Sequence, residues 1–436
     1  MMADNTLALR GGTVIDPGSG YAGQADVIIA GGMIRELREP GTFAGGEAVD
    51  VGGMLVAPGL VDMHVHLREP GQTQKETIAT GTAAAVGGGF TSICCMANTT
   101  PPIDTPERVA DLLSRIERDA LCRVYPLGAA TEGHGQERLV DFRAMLRAGC
   151  VAMTDDAFPL QSRELKQQAL SLAREAGCVF IAHPEDKAIS GSGVINEGEI
   201  SRALGVAGMP TEATASAVAE WAELGSLGAR VHLAHIATAE ELRAATAAAG
   251  LWDGRLTVET APHYLCITDE AVLRFGAGAK VNPPLRTAAD TVALTEAVRD
   301  GRIGIIATDH APHSPEEKAA GLMAAPFGLV GLETSLAAMV TVLNPDSPAE
   351  WLGLIEKMST APARLLGLRA GRVAPGEPAD IMIVDPVATW TVRPGRFRSK
   401  GRATPFAGMQ LRSRVWATLV GGRFAYREGE VLARAG

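Results

Sequence analysis

The sequence predicts an α/β fold: a (β/α)8 TIM barrel with a small β-sandwich domain formed by the N- and C-terminal segments. Eight short apolar runs recur through the middle of the chain, and stretches with helical spacing lie between them. Parallel strands that are covered on both faces are apolar throughout, and eight strand–helix units close a barrel. Most of the runs end in His, Asp or Asn. This fits the carboxyl ends of barrel strands, where reactive groups gather.

The barrel is expected between residues 58 and 371. Amphipathic helices are expected at residues 107–119, 162–176, 211–224 and 239–249, where Ala, Glu and Arg recur at helical spacing. The apolar runs place the strands at residues 59–67, 90–98, 122–130, 150–156, 178–184, 230–237, 256–265 and 303–313.

The two ends of the chain, residues 1–57 and 372–436, have a different pattern. Short alternating runs separated by Gly, Pro and Asp are typical of small antiparallel sheets. We expect the two ends to pair into one sandwich, and two separate peripheral extensions are the alternative. The runs lie at residues 7–10, 26–30, 33–38, 379–384, 390–392, 415–420 and 423–426.

The composition argues against several classes of protein. The formal net charge is −10 and Lys and Arg form no dense cluster, so we expect no nucleic-acid partner. The first ten residues lack the basic start and apolar core of a secretory signal, and no apolar run is long enough to span a bilayer. Six cysteines without a paired spacing indicate reduced thiols, so we expect a cytoplasmic protein with no membrane partner.

The first barrel strand ends in a His-x-His pair. His64 and His66 are two residues apart, so both project from the same face of the strand. Two imidazoles in that position make half of a transition-metal site. Arg68 has the same parity and can place a fixed cation beside the metal for an anionic substrate.

The ends of later strands supply the other half of the site. His183, His235 and Asp309 end the fifth, sixth and eighth runs, and either Asp155 or Asp156 ends the fourth. Each residue alone could be a buried structural histidine or a helix cap, but their joint occurrence at strand ends favours metal binding. Four imidazoles and two carboxylates suit two divalent cations that one carboxylate bridges. Adjacent strand residues face opposite ways, so only one aspartate can reach the metals; we favour Asp156.

Three motifs carry a family resemblance. They read His-Val-His-Leu-Arg-Glu-Pro-Gly at 64–71, Met-Ala-Asn-Thr-Thr-Pro-Pro at 96–102 and Thr-Asp-His-Ala-Pro-His-Ser at 308–314. With them the chain resembles the class I bacterial dihydroorotases of the amidohydrolase superfamily, and the resemblance covers essentially the whole chain. It implies a small-molecule substrate: the reversible hydrolysis of (S)-dihydroorotate to N-carbamoyl-L-aspartate in de novo pyrimidine (UMP) biosynthesis.

The resemblance also implies a metal mechanism. Zinc fits the ligand types, with two ions per chain or one, and manganese or cobalt would fit the same ligands. A hydroxide between the ions would attack the ring amide carbonyl, and Asp309 would act as general base and then as general acid. The implied ligands are His64, His66 and Asp309 for one ion and His183 and His235 for the other, with Asp156 as the bridge.

A separate set of residues is implied for substrate binding. Arg68, Asn98 and His313 match the family's clamp for the substrate carboxylate, and Arg68 can form two parallel hydrogen bonds with it. Taken alone, Asn98 is equally well explained as a turn residue and His313 as a loop histidine. The amide edges of the substrate ring are expected to contact Asn282 and the backbone of Pro326, Phe327 and Gly328.

The remaining histidines are expected outside the ligand set. His232 has the opposite parity from His235, so its side chain should point away from the metals. His263 and His310 are expected to orient the ligands. His134 is given no role.

One departure separates this sequence from hydantoinases and dihydropyrimidinases. Those proteins bridge their metals with a carboxylated lysine on the fourth strand, whereas residues 150–159 contain no lysine. A hydantoinase-like or allantoinase-like hydrolase is therefore the second enzyme hypothesis. A non-catalytic scaffold for aspartate transcarbamoylase is a third hypothesis, which the full ligand set disfavours. The resemblance implies a homodimer and allows a complex with aspartate transcarbamoylase.

Overall fold

The structure is a computed structural model that describes residues 6–43 and 45–432, with only the backbone described for residue 226 and residues 249–252. Within these ranges the chain forms nineteen strands. They are β1 (Thr6–Asp16), β2 (Tyr21–Ala30), β3 (Met33–Arg38), β4 (Glu47–Asp50), β5 (Leu55–Pro58), β6 (Leu60–Val65), β7 (Phe90–Cys95), β8 (Arg123–Ala129), β9 (Ala152–Thr154), β10 (Val179–Ala182), β11 (Ile195–Asn196), β12 (Gly208–Met209), β13 (Arg230–Leu233), β14 (Leu256–Thr260), β15 (Ile305–Ile306), β16 (Ile381–Thr391), β17 (Gln410–Val420), β18 (Arg423–Arg427) and β19 (Glu430–Val431).

The same ranges contain sixteen α-helices, most of them between the barrel strands. They are α1 (Ile78–Gly87), α2 (Pro106–Asp119), α3 (Phe142–Ala148), α4 (Arg163–Ala176), α5 (Lys187–Ser190), α6 (Glu199–Leu204), α7 (Glu212–Glu223), α8 (Ala239–Trp252), α9 (Pro262–Cys266), α10 (Ala271–Phe275), α11 (Ala288–Asp300), α12 (Pro315–Ala319), α13 (Gly321–Ala324), α14 (Ser335–Leu343), α15 (Pro348–Ile355) and α16 (Ala361–Leu366).

Eight parallel strands form the barrel, in the order β6–β7–β8–β9–β10–β13–β14–β15. The ring closes beyond β15, where Val65 pairs in parallel with His310 and the backbone N–H of His66 donates to the carbonyl of His310 at 2.8 Å. All eight apolar runs therefore supply one barrel strand each, and the expected TIM barrel is confirmed.

The four helices expected from periodicity are present, and capping residues define where three of them begin. Thr105, Ser162 and Thr238 have extended backbones, and each side chain accepts a hydrogen bond from the backbone N–H three residues on. Such a bond satisfies one of the amide groups that a helix start leaves unpaired.

Every barrel strand is shorter than its apolar run, and two of the strands end for a clear reason. The seventh run was expected to extend to residue 265, but β14 ends at Thr260 and Pro262 begins α9. Proline has no backbone N–H for a ladder and is favoured in the first turn of a helix. The eighth run gives only Ile305–Ile306, because the chain leaves the strand before Asp309, whose φ is +47°. This left-handed backbone ends regular strand geometry.

The two ends of the chain contribute to one nine-stranded sheet. Its order is β19–β18–β17–β16–β5–β1–β2–β3, with β4 beside β1. β5 from the N-terminal segment pairs antiparallel with β16 from the C-terminal segment, with Ile383 opposite Val56. Two separate peripheral extensions are therefore excluded. The runs at 379–384 and 390–392 were expected to be two strands, but they form the single strand β16, whose register shifts between Asp385 and Thr389.

Among the described residues, no helix is both long and apolar enough to cross a lipid bilayer.

Candidate metal centre and substrate cavity

The candidate ligands converge at the carboxyl ends of the barrel strands. His64 lies within β6 and His66 directly follows it, and the other four follow β9, β10, β13 and β15. All six side chains are buried, which is unusual for so many polar groups unless they pair or bind a ligand. They are His64, His66, Asp156, His183, His235 and Asp309.

Asp156 lies between two groups of histidines. His64 and His66 with Asp156 form one set of ligand atoms within 4.8 Å of one another, and His183 and His235 with Asp156 form another. Asp156 Oδ1 is 3.2 Å from His183 Nδ1, 3.4 Å from His64 Nε2 and 3.7 Å from His235 Nε2. Asp156 Oδ2 is 3.6 Å from His66 Nε2. One carboxylate is thus placed to serve two cations.

Asp309 approaches the cluster from the side of the first histidine pair. Its Oδ1 is 3.2 Å from His66 Nε2 and 3.5 Å from His64 Nε2. The left-handed backbone at Asp309 directs the chain away from β15, so this carboxylate stands at the rim of the barrel.

The two adjacent aspartates have different surroundings. Asp155 accepts backbone hydrogen bonds from Leu160 and His183, both at 2.8 Å, so it fixes the loops after β9 and β10. Asp156 points into the histidine cluster instead. The structure therefore brings Asp156 to the histidines and gives Asp155 a supporting position in the loops.

The arrangement of nitrogen and oxygen atoms fits divalent cations. His64 Nε2 is buried and has no hydrogen-bond partner among the described residues. His183 Nδ1 and His235 Nε2 lie 2.9 Å apart, so two ring nitrogens point toward the same small region. Burial alone would lower the pKa of His64, but Asp156, Asp309 and Glu259 raise it well above the ordinary value. The pocket thus attracts positive charge, as a site for cations should.

Glu259 is a site residue that the sequence analysis missed. Its Oε1 accepts a hydrogen bond from His64 Nδ1 at 2.7 Å, and its Oε2 accepts one from His232 Nε2 at 3.0 Å. The bond to Glu259 occupies His64 Nδ1, so His64 Nε2 is the nitrogen that faces the carboxylates of Asp156 and Asp309. His232 is not one of the clustered ligands, but it is linked to His64 through Glu259, whereas its parity was expected to turn its side chain away from the metals. The available signal was that Glu259 is the one charged residue in β14.

Glu185 was also missed, and it organises the opposite side of the cluster. Its Oε2 accepts from Lys187 Nζ at 2.7 Å and lies 2.9 Å from both His183 Nε2 and Asn282 Nδ2. His183 therefore presents Nδ1 to Asp156. The amide nitrogen of Asn282 is engaged, and its buried Oδ1 has no partner among the described residues.

The residues expected to bind substrate line one cavity of about 350 Å³ beside the cluster. Arg68 is buried, donates from Nε to Pro312 O at 3.1 Å, and has Nη2 3.2 Å from His313 Nε2. The same His313 nitrogen donates to Phe327 O at 2.7 Å. Asn98 Oδ1 accepts from His66 Nδ1 at 2.9 Å. The cavity is bounded by Arg68, Asn98, Asn282, His313, Pro326, Phe327 and Gly328, together with the histidines and aspartates of the cluster apart from His64.

The other histidines lie outside the cluster. His310 has its Nε2 3.4 Å from Glu76 Oε2 and accepts at Nδ1 from the backbone N–H of Gly331 at 3.2 Å. His263 is buried, and its Nε2 has no partner among the described residues. His134 stacks on Phe158 with the ring centres 4.3 Å apart.

Solved structures share this architecture. An L-hydantoinase (dihydropyrimidinase) from Arthrobacter aurescens superposes with a TM-score of 0.89 at 24% identity, covering 99% of this chain and 98% of that one. A dihydropyrimidinase from Brevibacillus agri gives a TM-score of 0.86 at 22% identity, covering 98% and 96%. At this identity the likeness concerns the fold alone. Fold and site together define a TIM-barrel protein with a histidine–aspartate centre able to hold metal ions.

Sequence relatives give the family. A model described as Dihydro-orotase-like matches residues 53–241. The dihydroorotase of Pelotomaculum thermopropionicum is 45% identical, covering 97% of this chain and 99% of its own length. That of Geobacter sp. strain M21 is 42% identical, covering 97% and 100%. The chain belongs to the dihydroorotase family. The sequence-based prediction of a dihydroorotase, a cyclic amide hydrolase, is confirmed.

Proposed function

We propose that the chain catalyses the reversible hydrolysis of (S)-dihydroorotate to N-carbamoyl-L-aspartate, as a class I enzyme of pyrimidine biosynthesis. The observation that carries the proposal is the position of Arg68, whose buried guanidinium lines the same cavity as the histidine–aspartate cluster. Dihydroorotate offers a carboxylate for this cation and an amide carbonyl for the cluster. Neutral hydantoins lack that carboxylate.

The proposed cofactor is zinc, with two ions per chain. Imidazole and carboxylate are suitable ligands for zinc, and Asp156 belongs to both groups of candidate ligands. When bound, the ions would lower the pKa of water and polarise the substrate carbonyl. The proposed ligands are His64, His66 and Asp309 on one side and His183 and His235 on the other, bridged by Asp156.

Asp309 is the proposed general base and acid. Its buried carboxylate accepts the proton of the attacking water and returns it to the departing ring nitrogen. Burial would raise the pKa of Asp309, but His64, His66 and His235 lower it below the ordinary value, so the carboxylate is ionised at neutral pH. An ionised Asp309 is the form that can accept a proton.

The substrate carboxylate is proposed to lie between Arg68 and Asn98. The Oδ1 of Asn98 accepts a hydrogen bond from His66, and its amide N–H group is the proposed donor to the substrate. Burial lowers the pKa of His313 to about 2, with Arg68, Lys75 and Lys318 adding to the effect. His313 is therefore neutral, and its Nε2–H supports the Phe327 backbone while its Nδ1 lies 3.4 Å from Glu317 Oε2. Asn282 and the Pro326–Gly328 segment are proposed to contact the ring amides.

The test is ring opening of dihydroorotate by the purified chain, with bound metal quantified on the same sample. Asp309→Ala should lower kcat by about 10²-fold to 10⁴-fold. Arg68→Met should raise KM for dihydroorotate. Arg147 is an exposed arginine of α3 that does not line the cavity, so Arg147→Ala should change neither kcat nor KM. Faster turnover of hydantoin or allantoin than of dihydroorotate would reject the proposed substrate. Bound metal without turnover of any of them would point to another cyclic amide or to a site that needs a partner, and the absence of both metal and turnover would revive the scaffold hypothesis.

We also propose that residues 1–57 and 372–436 form a β-sandwich domain beside the barrel of residues 58–371. A separate group of buried side chains supports this division. It comprises Leu9, Val14, Ala25, Val27, Ile29, Ile34, Val49, Val51, Val56, Val373, Ala379, Ile381, Ile383, Ala417 and Leu419.

A cytoplasmic homodimer is the proposed state of the protein, with aspartate transcarbamoylase as a possible partner. The family resemblance supports the assembly, and six free cysteines support a reducing compartment. Light scattering after size-exclusion chromatography tests the dimer, and co-purification of the two enzymes tests the complex.

A further inference from the structure

A second cavity, of about 550 Å³, lies between the barrel and the terminal sheet. Its walls come from the end of α1, from α14, from β16, β17 and β18, and from the segment between β16 and β17. None of its lining residues belongs to the cavity that holds Arg68 and the metal cluster. It is large enough for a ligand of nucleotide size.

Four arginines line this cavity. Arg393, Arg396 and Arg414 line it, and none of the three has a hydrogen bond or ion pair from its side chain among the described residues. The fourth arginine is neutralised, because Arg398 Nη1 lies 3.0 Å from Glu333 Oε2. On a protein of net charge −10, three unpaired guanidinium groups at one cavity are an anion-attracting feature.

Two further glutamates line the cavity and offset part of this charge. Glu428 Oε1 lies 3.9 Å from Arg427 Nε, so it has a partner that does not line the cavity. Glu430 is exposed and makes no ion pair among the described residues, so its charge counts against the arginines. With Glu333 included, four arginines face three glutamates, and the cavity keeps a net positive charge.

Aromatic rings and an unpaired hydroxyl complete the walls. Trp390 Nε1 donates to Ser413 O at 2.9 Å, which fixes the orientation of the indole. Tyr426 is buried with the Arg398 guanidinium over its ring, 4.9 Å from the ring centre. Ser413 is fully buried, and its hydroxyl has no hydrogen-bond partner among the described residues. Fixed aromatic faces suit a planar ring, and an unpaired buried hydroxyl is costly unless a ligand or water satisfies it.

We propose that this cavity binds a nucleotide, with the phosphates held by Arg393, Arg396 and Arg414 and the base beside Trp390. Arginine forms two-pronged hydrogen bonds with phosphate oxygens. A base can stack on an aromatic face. The proposal is independent of the proposed catalytic function, because the two cavities share no residue.

The test is isothermal titration calorimetry of the full chain with adenosine triphosphate and with uridine triphosphate, without added magnesium. Tripolyphosphate and the two free nucleosides separate the phosphate contribution from the base contribution. We expect saturable binding of at least one nucleotide, stronger than that of tripolyphosphate. Arg396→Ala and Arg414→Ala should each weaken it about tenfold or more, since a hydrogen bond to a charged group contributes about 1.5–3 kcal/mol. Trp390→Leu should weaken the nucleotide but not tripolyphosphate.

The arginine variants change exposed side chains, so retained dihydroorotate turnover and thermal unfolding will show that they fold. Arg147→Ala is the matched control and should bind the nucleotide like the unmodified chain. No binding at millimolar nucleotide would overturn the proposal, as would binding that the arginine variants leave unchanged. Equal binding of nucleotide and tripolyphosphate would reject the stacking of the base.

Discussion

Asp156 holds a position that no other candidate ligand shares, because it belongs to both groups of histidines. Its neighbour Asp155 is equally buried but is used by the backbone N–H groups of Leu160 and His183. Strand parity alone allowed only one of them to reach the cluster and could not say which. Side-chain packing around the β9 loop brings Asp156 to the histidines, and a sequence pattern does not contain that information.

Replacing each aspartate by alanine should therefore change different properties: metal binding for Asp156 and the free energy of unfolding for Asp155. Asp156→Ala should lose metal from both groups of ligands, with little change in the free energy of unfolding of the metal-free chain. Asp155→Ala should keep its metal but lower the free energy of unfolding by about 2 kcal/mol or more, because two buried amide groups lose their acceptor. Metal analysis after dialysis and urea denaturation of the metal-free proteins give the two quantities. The reverse pattern would mean that the roles are exchanged.

Glu185 and Glu259 show what residue patterns could not reveal about the site. Histidines and aspartates at strand ends were recognisable because each matched a ligand type. The two glutamates act on the far nitrogens of His183 and His64, at 2.9 and 2.7 Å. Their function depends on the orientation of an imidazole ring, which sequence spacing does not give.

At the scale of elements, apolar runs located every barrel strand but overestimated their lengths. Proline at position 262 stops β14, and the left-handed backbone at Asp309 leaves β15 with two residues. The four helices expected from periodicity begin within one residue and end within three residues of their predicted bounds. The sequence predicted that the two ends of the chain pair, but not that β5 pairs with β16 or in which register. Register between distant segments depends on packing.

The cap of α4 allows a test with a matched control in the same helix. Ser162 Oγ accepts from Leu165 N at 3.2 Å, whereas Ser171 Oγ donates to Gln167 O at 3.0 Å in the middle of the helix. Ser162→Ala should lower the free energy of unfolding by about 1 kcal/mol. Ser171→Ala should leave it unchanged or raise it slightly, because alanine has the higher helix propensity. Urea denaturation of both variants is the measurement, and equal losses would contradict the capping role.

At the scale of the whole molecule, the cysteines behave as apolar packing groups. All six are free, and five are buried, while Cys266 is partly exposed. Burial raises the pKa of Cys178 to about 11 and the pKa values of Cys95 and Cys266 to about 12. The thiolate is the reactive form, so a raised pKa suppresses reaction at any pH below it.

The native chain should therefore resist alkylation by iodoacetamide at pH 8, where an unperturbed thiol is already partly ionised. Raising the pH toward 11 should label Cys178 before Cys95. Intact-mass and peptide mass spectrometry give the number and position of adducts. The same reagent should modify all six thiols once guanidinium chloride has unfolded the chain, and rapid labelling of several thiols in the native state would contradict the packing described above.

The pairing of β5 with β16 also bears on how the chain folds during synthesis. Leu55–Pro58 leaves the ribosome more than three hundred residues before Ile381–Thr391. At bacterial rates of elongation this delay is roughly 15–65 seconds. The whole barrel can fold within that time, while β5 still lacks the partner strand β16 on one side. Open strand edges promote aggregation, so slow translation of the barrel should increase the dependence of this chain on chaperones that shield its first strands.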